Sequence, residues 1–401
     1  MAEINELPIQ ELEINKFRLP KFHFYPATMT QHLSSFVIKK FSQSGDYVLD
    51  PFCGTANILR IARVFNRNGV GVDINPLATL IAKVSLSDYN QRKLEQYLQK
   101  IIDLTSFVEF DRLFAKENGL LYWFDVETLD TIESLKSTIL SISDTSIRNF
   151  FKVTLSSTIR SISKADPNVA PPVFSKHMKA KYRPLSRELI LEKFTKRANN
   201  NIVKSQINKE MYQPDSTVEI HNADSLKFLQ RKGTKFDLIF TSPPYAAAQK
   251  YVRSTSLELM TVFNLNRRKL LELDSMDLGS EAVRNYDRIY AKKSRNFSSN
   301  NLNEKYQIIY GRYLENLEII FSMIRQKLND KGNFVLVMSE NATSSGEIIS
   351  LIDLIVKIAA SVGLELIEKF IDPIRKRSFS IKRNKMAPAM KNEYLLHFKK
   401  V

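Results

Sequence analysis

The residues able to do chemistry fall into two short clusters. The first is Asp50-Pro51-Phe52-Cys53-Gly54-Thr55, set between an apolar run and apolar residues at helical spacing. A glycine at a strand-to-helix turn lets backbone N–H groups approach a ligand closely. The helix that follows presents its positive end to anionic or polar groups. Asp73 stands nineteen residues after Gly54, at the tip of the next strand. There a carboxylate can accept hydrogen bonds from both hydroxyls of a ribose. Together these predict an adenosine-cofactor site. The dinucleotide fingerprint G-x-G-x-x-G and the phosphate loop G-x-x-x-x-G-K-[ST] are both absent, so the expected ligand lacks a pyrophosphate. A single glycine turn followed by an aspartate also arises with no ligand, so the second cluster has to decide.

That cluster is Thr241-Ser242-Pro243-Pro244-Tyr245, directly after the apolar run Phe236–Phe240. Two prolines donate no N–H and stiffen the backbone. The carbonyl of Pro243 is then free to face a substrate, and Ser242 adds a second acceptor. Tyr245 can offer its ring face to a base. An exocyclic amino group is a poor nucleophile because its lone pair is delocalised into the ring. Two acceptors holding both of its hydrogens favour a more pyramidal nitrogen as it attacks.

The elements that must position these clusters follow from the pattern. Tyr47–Leu49 predicts a strand, Ile58, Leu59, Ile61, Ala62 and Phe65 a helix, and Gly69–Ile74 a second strand, a βαβ unit. The grammar resumes with strands at Val218–Ile220, Phe236–Phe240 and Phe334–Met338. Helices are expected over Ser225–Lys232 and Glu347–Val362, and final strands over Leu364–Ile371 and Glu393–Phe398. Alternating strands and helices predict an α/β sheet, parallel in the main. The intervening stretch is helical in pattern, broken at Lys164–Pro167 and Ala170–Pro172. The expected division is 1–77, a cofactor-binding part; 78–216, a mostly helical insertion that could recognise the target; and 217–401, a catalytic part.

Composition narrows the function classes. The 401 residues carry 59 Lys+Arg against 43 Asp+Glu, a net charge of +16, which favours a polyanionic partner. The basic residues gather: Lys176–Lys209 holds ten Lys/Arg against two Asp/Glu, and Arg375–Lys391 seven against none. Cys53 is the one cysteine, so no disulfide forms within the chain and a reducing, cytoplasmic setting is expected. The five histidines are scattered, and no metal site is expected. The acidic start does not read as a signal peptide, and no apolar run is long enough for a membrane span.

At these residues the sequence resembles the S-adenosylmethionine-dependent DNA amino-methyltransferases. Asp50–Thr55 resembles their motif I, and Thr241–Tyr245 their motif IV. His23-Phe24-Tyr25-Pro26-Ala27 is similar to the upstream cofactor motif, Asp73-Ile74-Asn75-Pro76 to motif II, and Asn222-Ala223-Asp224-Ser225 to motif III. The likeness covers roughly 20–77 and 217–400. It implies a Rossmann-like class I methyltransferase sheet and S-adenosylmethionine as cofactor. Phe24, Tyr25, Pro26, Asp50, Phe52, Cys53, Gly54, Thr55, Asp73, Ile74, Asn75, Asp224 and Ser225 would then hold that cofactor. Asp73 would bind its ribose, and Asp224 its adenine. Ser242, Pro243, Pro244 and Tyr245 would hold the target base. One departure stands out: Ala56 occupies a position where the family usually has a second glycine.

The resemblance implies site-specific methylation of a flipped base in double-stranded DNA, with a restriction or defence-system partner as a further expectation. Cytosine C5 chemistry needs a Pro-Cys nucleophile, which the chain lacks. Serine at the head of S-P-P-Y favours cytosine N4, with adenine N6 as the alternative. A transfer-RNA guanine N2-like methyltransferase and a non-catalytic DNA-binding relative remain rivals. Expected DNA contacts are Lys164, Lys176, Lys179, Lys181, Arg183 and Arg187 in the insertion. Lys250 and Arg253 follow the catalytic loop beside Gln249 and Tyr251, and Arg377, Lys382 and Arg383 lie near the end.

Overall fold

A computed structural model describes residues 3–6, 18–26, 28–246, 251–279, 304–342, 348–349, 351–373 and 392–401. The strands are β1 (Glu3–Glu6), β2 (Tyr47–Asp50), β3 (Asn68–Asp73), β4 (Val218–Asn222), β5 (Phe236–Thr241), β6 (Leu328–Ser339), β7 (Asn341–Ala342), β8 (Ile348–Ile349), β9 (Leu364–Pro373) and β10 (Asn392–Lys400). Eight of them form one sheet in the order β1-β9-β10-β6-β5-β2-β3-β4, while β7 and β8 pair with each other. Pairing is parallel except where β10 runs antiparallel between β6 and β9. This is a Rossmann-like α/β sheet.

The helices are α1 (Gln31–Phe41), α2 (Asn57–Val64), α3 (Pro76–Leu86), α4 (Gln91–Leu104), α5 (Arg112–Glu117), α6 (Val126–Leu140), α7 (Thr145–Ile159), α8 (Lys176–Lys181), α9 (Arg187–Met211), α10 (Ser225–Leu229), α11 (Tyr251–Ser254), α12 (Ser256–Val262), α13 (Arg267–Ser275), α14 (Glu304–Lys327) and α15 (Ile352–Ser361). None among the described residues is long and apolar enough to cross a membrane.

The strand order carries the function. β2 and β5 lie far apart in the chain and side by side in the sheet, with Val48 opposite Leu238 and Leu49 opposite Ile239. Their carboxyl ends therefore deliver both chemical clusters to one edge, at the point where a parallel sheet reverses its winding and leaves a crevice. The inner faces of β2, β5 and β6 are fully buried by Leu49, Ile239, Phe334 and Leu336 on one side and Val48, Leu238, Phe240 and Val335 on the other. That two-sided burial explains why these strands read as continuous apolar runs.

The helical stretch does not pack as a separate body. One apolar cluster contains Leu77, Ala78 and Ile81 of α3, Phe150 and Phe151 of α7, Ile190 and Phe194 of α9, and Val252 to Leu270 from beyond the catalytic loop. Phe22 and Tyr25 from the upstream segment join it. The packing therefore runs across the expected boundaries at 77/78 and 216/217. The α15 helix begins at Ile352, five residues after the expected Glu347, because Ile348–Ile349 pairs with Asn341–Ala342 instead. The expected Ser225–Lys232 helix ends at Leu229.

Buried polar ties fix the upstream segment. Arg60 on α2 donates from Nη2 to the Pro20 carbonyl at 2.8 Å and to Asn208 Oδ1 at 3.0 Å, and from Nε to the Tyr212 hydroxyl at 3.1 Å. His23 Nδ1 donates to the Phe24 carbonyl at 2.5 Å, so Nε2 accepts from the Ser156 hydroxyl at 3.0 Å. Burial pushes that imidazole down to about 4, which keeps it neutral.

Gly71 of β3 shows how tightly the sheet is covered. A Cβ there would meet Ile220 Cδ1 and Leu59 Cδ1 at 2.7 Å and Cys53 Sγ at 2.9 Å. Gly71→Ala is expected to destabilise the protein by about 1–3 kcal/mol, the usual cost of overpacking. Denaturant unfolding with an unchanged midpoint would refute this.

Candidate active site

Both clusters open into one cavity of about 420 Å³ at the carboxyl edge of the sheet. That size falls in the range of roughly 300–1,000 Å³ typical of small-molecule sites. Gly54 turns the chain with φ +50°, and the next bend is made by Ala56 at φ 61°. Left-handed backbone costs a residue with a Cβ about 1–2 kcal/mol relative to glycine. The loop thus keeps its two-step bend at the position where a second glycine was missing from the sequence pattern, and carries the strain.

Asp50 is 2 % exposed. Its Oδ1 accepts from the Thr241 hydroxyl at 2.7 Å and from the Phe52 N–H at 3.1 Å. The carboxylate therefore ties the end of β2 to the end of β5. Burial pushes it up to about 7, against the two hydrogen bonds and with help from the charge of Asp73. Asp73 accepts one backbone N–H on each oxygen, from Gly54 at 2.9 Å and from Asn75 at 2.8 Å. Burial lifts it to about 6. Each oxygen retains a lone pair that a ligand hydroxyl could use. Asn75 caps α3 through Oδ1, while its buried Nδ2 has no partner.

Asp224 caps α10 by accepting from the Leu226 N–H at 2.9 Å. Ser225 donates to the Pro51 carbonyl and so joins this turn to the first loop. Ser242 and Pro244 line the cavity, as do Tyr25, Phe52, Cys53, Thr55 and Ile74. Pro243 is buried and outside the wall. Tyr245 also lies outside it: its hydroxyl sits 3.4 Å from Ser242 Oγ, and its ring packs into the core around Phe334 and Tyr313. Pro26 does not line the cavity, and Phe24 is 60 % exposed and does not either. Tyr251 lines the wall together with Tyr25 and Tyr313, and stacks on Tyr25 at a centroid distance of 6.4 Å.

Two further wall segments carry no motif. Ile309, Arg312, Tyr313, Asn316 and Ile320 form one stripe of α14. The 3,4,7 spacing of that stripe was the available signal, but it is shared with any helix packed on a sheet. Ser275–Leu278, with Asp277, closes another side. No periodicity marks it.

Among the expected DNA contacts, Lys176, Lys179, Lys181 and Arg183 are exposed and in no ion pair among the described residues. Arg253 is exposed as well. Lys164 instead pairs with Asp125 at 2.7 Å and lies 5.4 Å over the Tyr182 ring. Arg187 donates to the Thr105 carbonyl at 2.7 Å. Both are engaged within their own fold. Lys250, Arg377, Lys382 and Arg383 lie outside the described residues. Among those residues no group of three or more metal-ligating side chains converges.

A carboxyl whose folded value is raised binds its proton more tightly in the folded than in the unfolded chain, so its contribution to stability is lost as pH rises through about 7. Below about 6.5 the buried neutral His23 opposes this, since the unfolded imidazole takes up a proton there. The ligand-free protein is therefore expected to gain stability from pH 8 to pH 7, by about 0.3–0.5 kcal/mol from Asp50 and about as much from Asp277, whose buried carboxyl is likewise pushed up to about 7. Asp50→Asn should make that slope shallower in thermal unfolding, and an equally steep profile would exclude Asp50 as one of its sources.

Parts of the sequence are similar to known proteins. Residues 4–84 match the N6/N4 methyltransferase family model, described as DNA methylase. The type II methyltransferase M.MvaI of Kocuria varians is 22 % identical over 299 residues, 66 % of this chain and 62 % of that protein. The type II methyltransferase M.MjaII of Methanocaldococcus jannaschii is 31 % identical over 107 residues, 24 % of this chain and 20 % of that protein. The chain thus spans less than two thirds of either relative's length. Among solved structures, a TehB-like S-adenosylmethionine-dependent methyltransferase from Corynebacterium glutamicum aligns over 94 % of this chain and 90 % of that one, with 10 % identity and a TM-score of 0.31.

Proposed function

We propose, for a chain that belongs to the DNA amino-methyltransferase family, that it methylates the exocyclic amino group of a base flipped out of double-stranded DNA, with cytosine N4 as the target. The carrying observation is the Asp50–Thr241 hydrogen bond, which joins a nucleoside-type loop to a Ser-Pro-Pro-Tyr loop in one cavity.

The residues present fit S-adenosylmethionine. The cavity is large enough, Asp73 keeps two acceptor positions, and the orphaned Asn75 amide marks a buried polar group lacking a partner. When bound, S-adenosylmethionine supplies an electrophilic methyl group. Asp73 would hold its ribose, Ile74 would pack on its adenine, and Asp224 would accept from the adenine amino group. Ser242 Oγ and the Pro243 carbonyl would take the two hydrogens of the target amino group. That aligns its lone pair for in-line attack and needs no covalent intermediate on the protein. Tyr245 would brace Ser242 through their hydroxyl contact. The exposed cations Lys176, Lys179, Lys181 and Arg183 would bind phosphates and set the register of the DNA.

Mass spectrometry of nucleosides from DNA incubated with the protein and S-adenosylmethionine tests this directly. N4-methylcytosine is expected. N6-methyladenine would correct the base, and a product in transfer RNA alone would reject DNA as substrate. Tyr245→Phe keeps the packed ring and removes the hydroxyl brace, and is expected to lower the product while the protein remains folded. Replacing Lys176, Lys179, Lys181 and Arg183 together by Gln should lower the slope of log affinity against log salt by about 0.9 per lost phosphate contact. An unchanged slope would place the DNA elsewhere.

A further inference from the structure

A nearly enclosed arginine, used by neither motif, joins three separate segments. Arg160 caps the end of α7, and its side chain is 12 % exposed beside Glu258 of α12, which is 2 % exposed. Arg160 Nη1 donates to the Val169 carbonyl. Nη2 donates to the Ala170 carbonyl and, at 2.6 Å, to the Ser254 carbonyl. The Glu258 carboxylate lies 3.7 Å from Nε, an ion-pair distance too long for a hydrogen bond, and neither Nε nor Glu258 Oε2 has a hydrogen-bond partner. A buried pair so loosely satisfied contributes little net stability. The directed bonds of the guanidinium go instead to main-chain carbonyls of two segments far apart in the chain.

Each of those segments leads to a different half of the chemistry. Ser254 is the last residue of α11, whose Tyr251 and Val252 line the cavity. Val169 and Ala170 belong to the loop that precedes α8. Asp166 closes that loop: its carboxylate accepts from the Asn168 N–H at 3.0 Å and from the Ser175 hydroxyl at 2.7 Å, and its N–H donates to the Val173 carbonyl at 2.8 Å. Ser175 in turn caps α8 by accepting from the Met178 N–H at 3.2 Å. The exposed Lys176, Lys179 and Lys181 follow directly on α8. Hydrogen bonds therefore run without a break from the cavity wall, through Arg160, to the exposed cations. A planar guanidinium holds several acceptors in one fixed fork, which a lysine ammonium does not reproduce.

We propose that Arg160 is a positioning residue for methyl transfer to DNA: its fork sets the cations of α8 at a fixed place against the Tyr251 wall, so that the bound duplex is in register with the cavity. The inference rests on the DNA reading above. Without the fork the cations still attract phosphates, but the target base no longer meets the cavity in line.

Single-turnover methylation by the full chain tests this, at saturating S-adenosylmethionine and saturating duplex DNA of the kind the nucleoside assay shows to be methylated. Removing Arg160 alone leaves the Glu258 carboxylate buried and uncompensated, so Arg160→Gln is combined with Glu258→Gln. Arg160→Lys is the second variant, keeping the charge beside Glu258 and losing the fork. Both are expected to lower the single-turnover rate about 10–100-fold, the scale of an ångström-sized misplacement, with S-adenosylmethionine affinity changed less than about twofold. The salt dependence of DNA binding should stay as in the wild type, since the cations themselves remain. A rate within about twofold of wild type in either folded variant would overturn the proposal, and so would a loss of S-adenosylmethionine affinity as large as the loss of rate. If the double variant fails to fold, Arg160→Lys decides by the same two criteria. A wild type that methylates no DNA would overturn the DNA reading and this inference together.

Discussion

The structure depends on a single buried hydrogen bond between strand ends, from the Thr241 hydroxyl to the Asp50 carboxylate at 2.7 Å. Parallel neighbours in a sheet bring their carboxyl ends to one edge, but only to within a strand spacing. The bond converts that adjacency into a fixed relation between two loops of different chemistry. It also opposes the burial that pushes the Asp50 carboxyl up. The group is too buried to ionise freely, and its two hydrogen bonds keep it from becoming fully neutral at physiological pH. Asp73 repeats the arrangement one strand over, with its two backbone donors pinning the glycine turn and the start of α3.

The sheet and the first half of the site were legible in the sequence because both rest on local rules. Tyr47–Leu49, Phe236–Phe240 and Phe334–Met338 read as strands since two-sided burial demands uninterrupted apolar residues. Asp50–Thr55 and Asp73 read as a ligand loop since the bend and the acidic tip are tied to backbone geometry. What stayed hidden depends on distant partners. Tyr251 rather than Tyr245 in the wall, the α14 stripe and Asp277 are all decided by how helices cross the sheet edge. The free or engaged state of a lysine is equally non-local. Lys164 and Lys179 look alike in the sequence, and only the first meets an aspartate. Ile348–Ile349 shows the same limit, since helix-compatible residues become a strand when a partner strand is at hand.

The helical region fulfils two roles through one core. Its apolar cluster includes α7 and α9 of the stretch between the motifs, and equally α11 to α13 from beyond the catalytic loop. Arg60 and His23 then anchor the upstream segment to α9 and α7. The wall bearing Tyr25 and Tyr251 is thus held by that packing.

Cys53 gives this arrangement a use of its own. It is the chain's single thiol, it lines the cavity floor, and burial with the charges of Asp73 and Asp50 pushes its ionisation well above the ordinary thiol value. A protonated, enclosed sulfur reacts slowly with alkylating reagents. Because no other cysteine competes, the rate at which this atom is labelled is a one-site clock for how often the floor of the cavity becomes open to solvent.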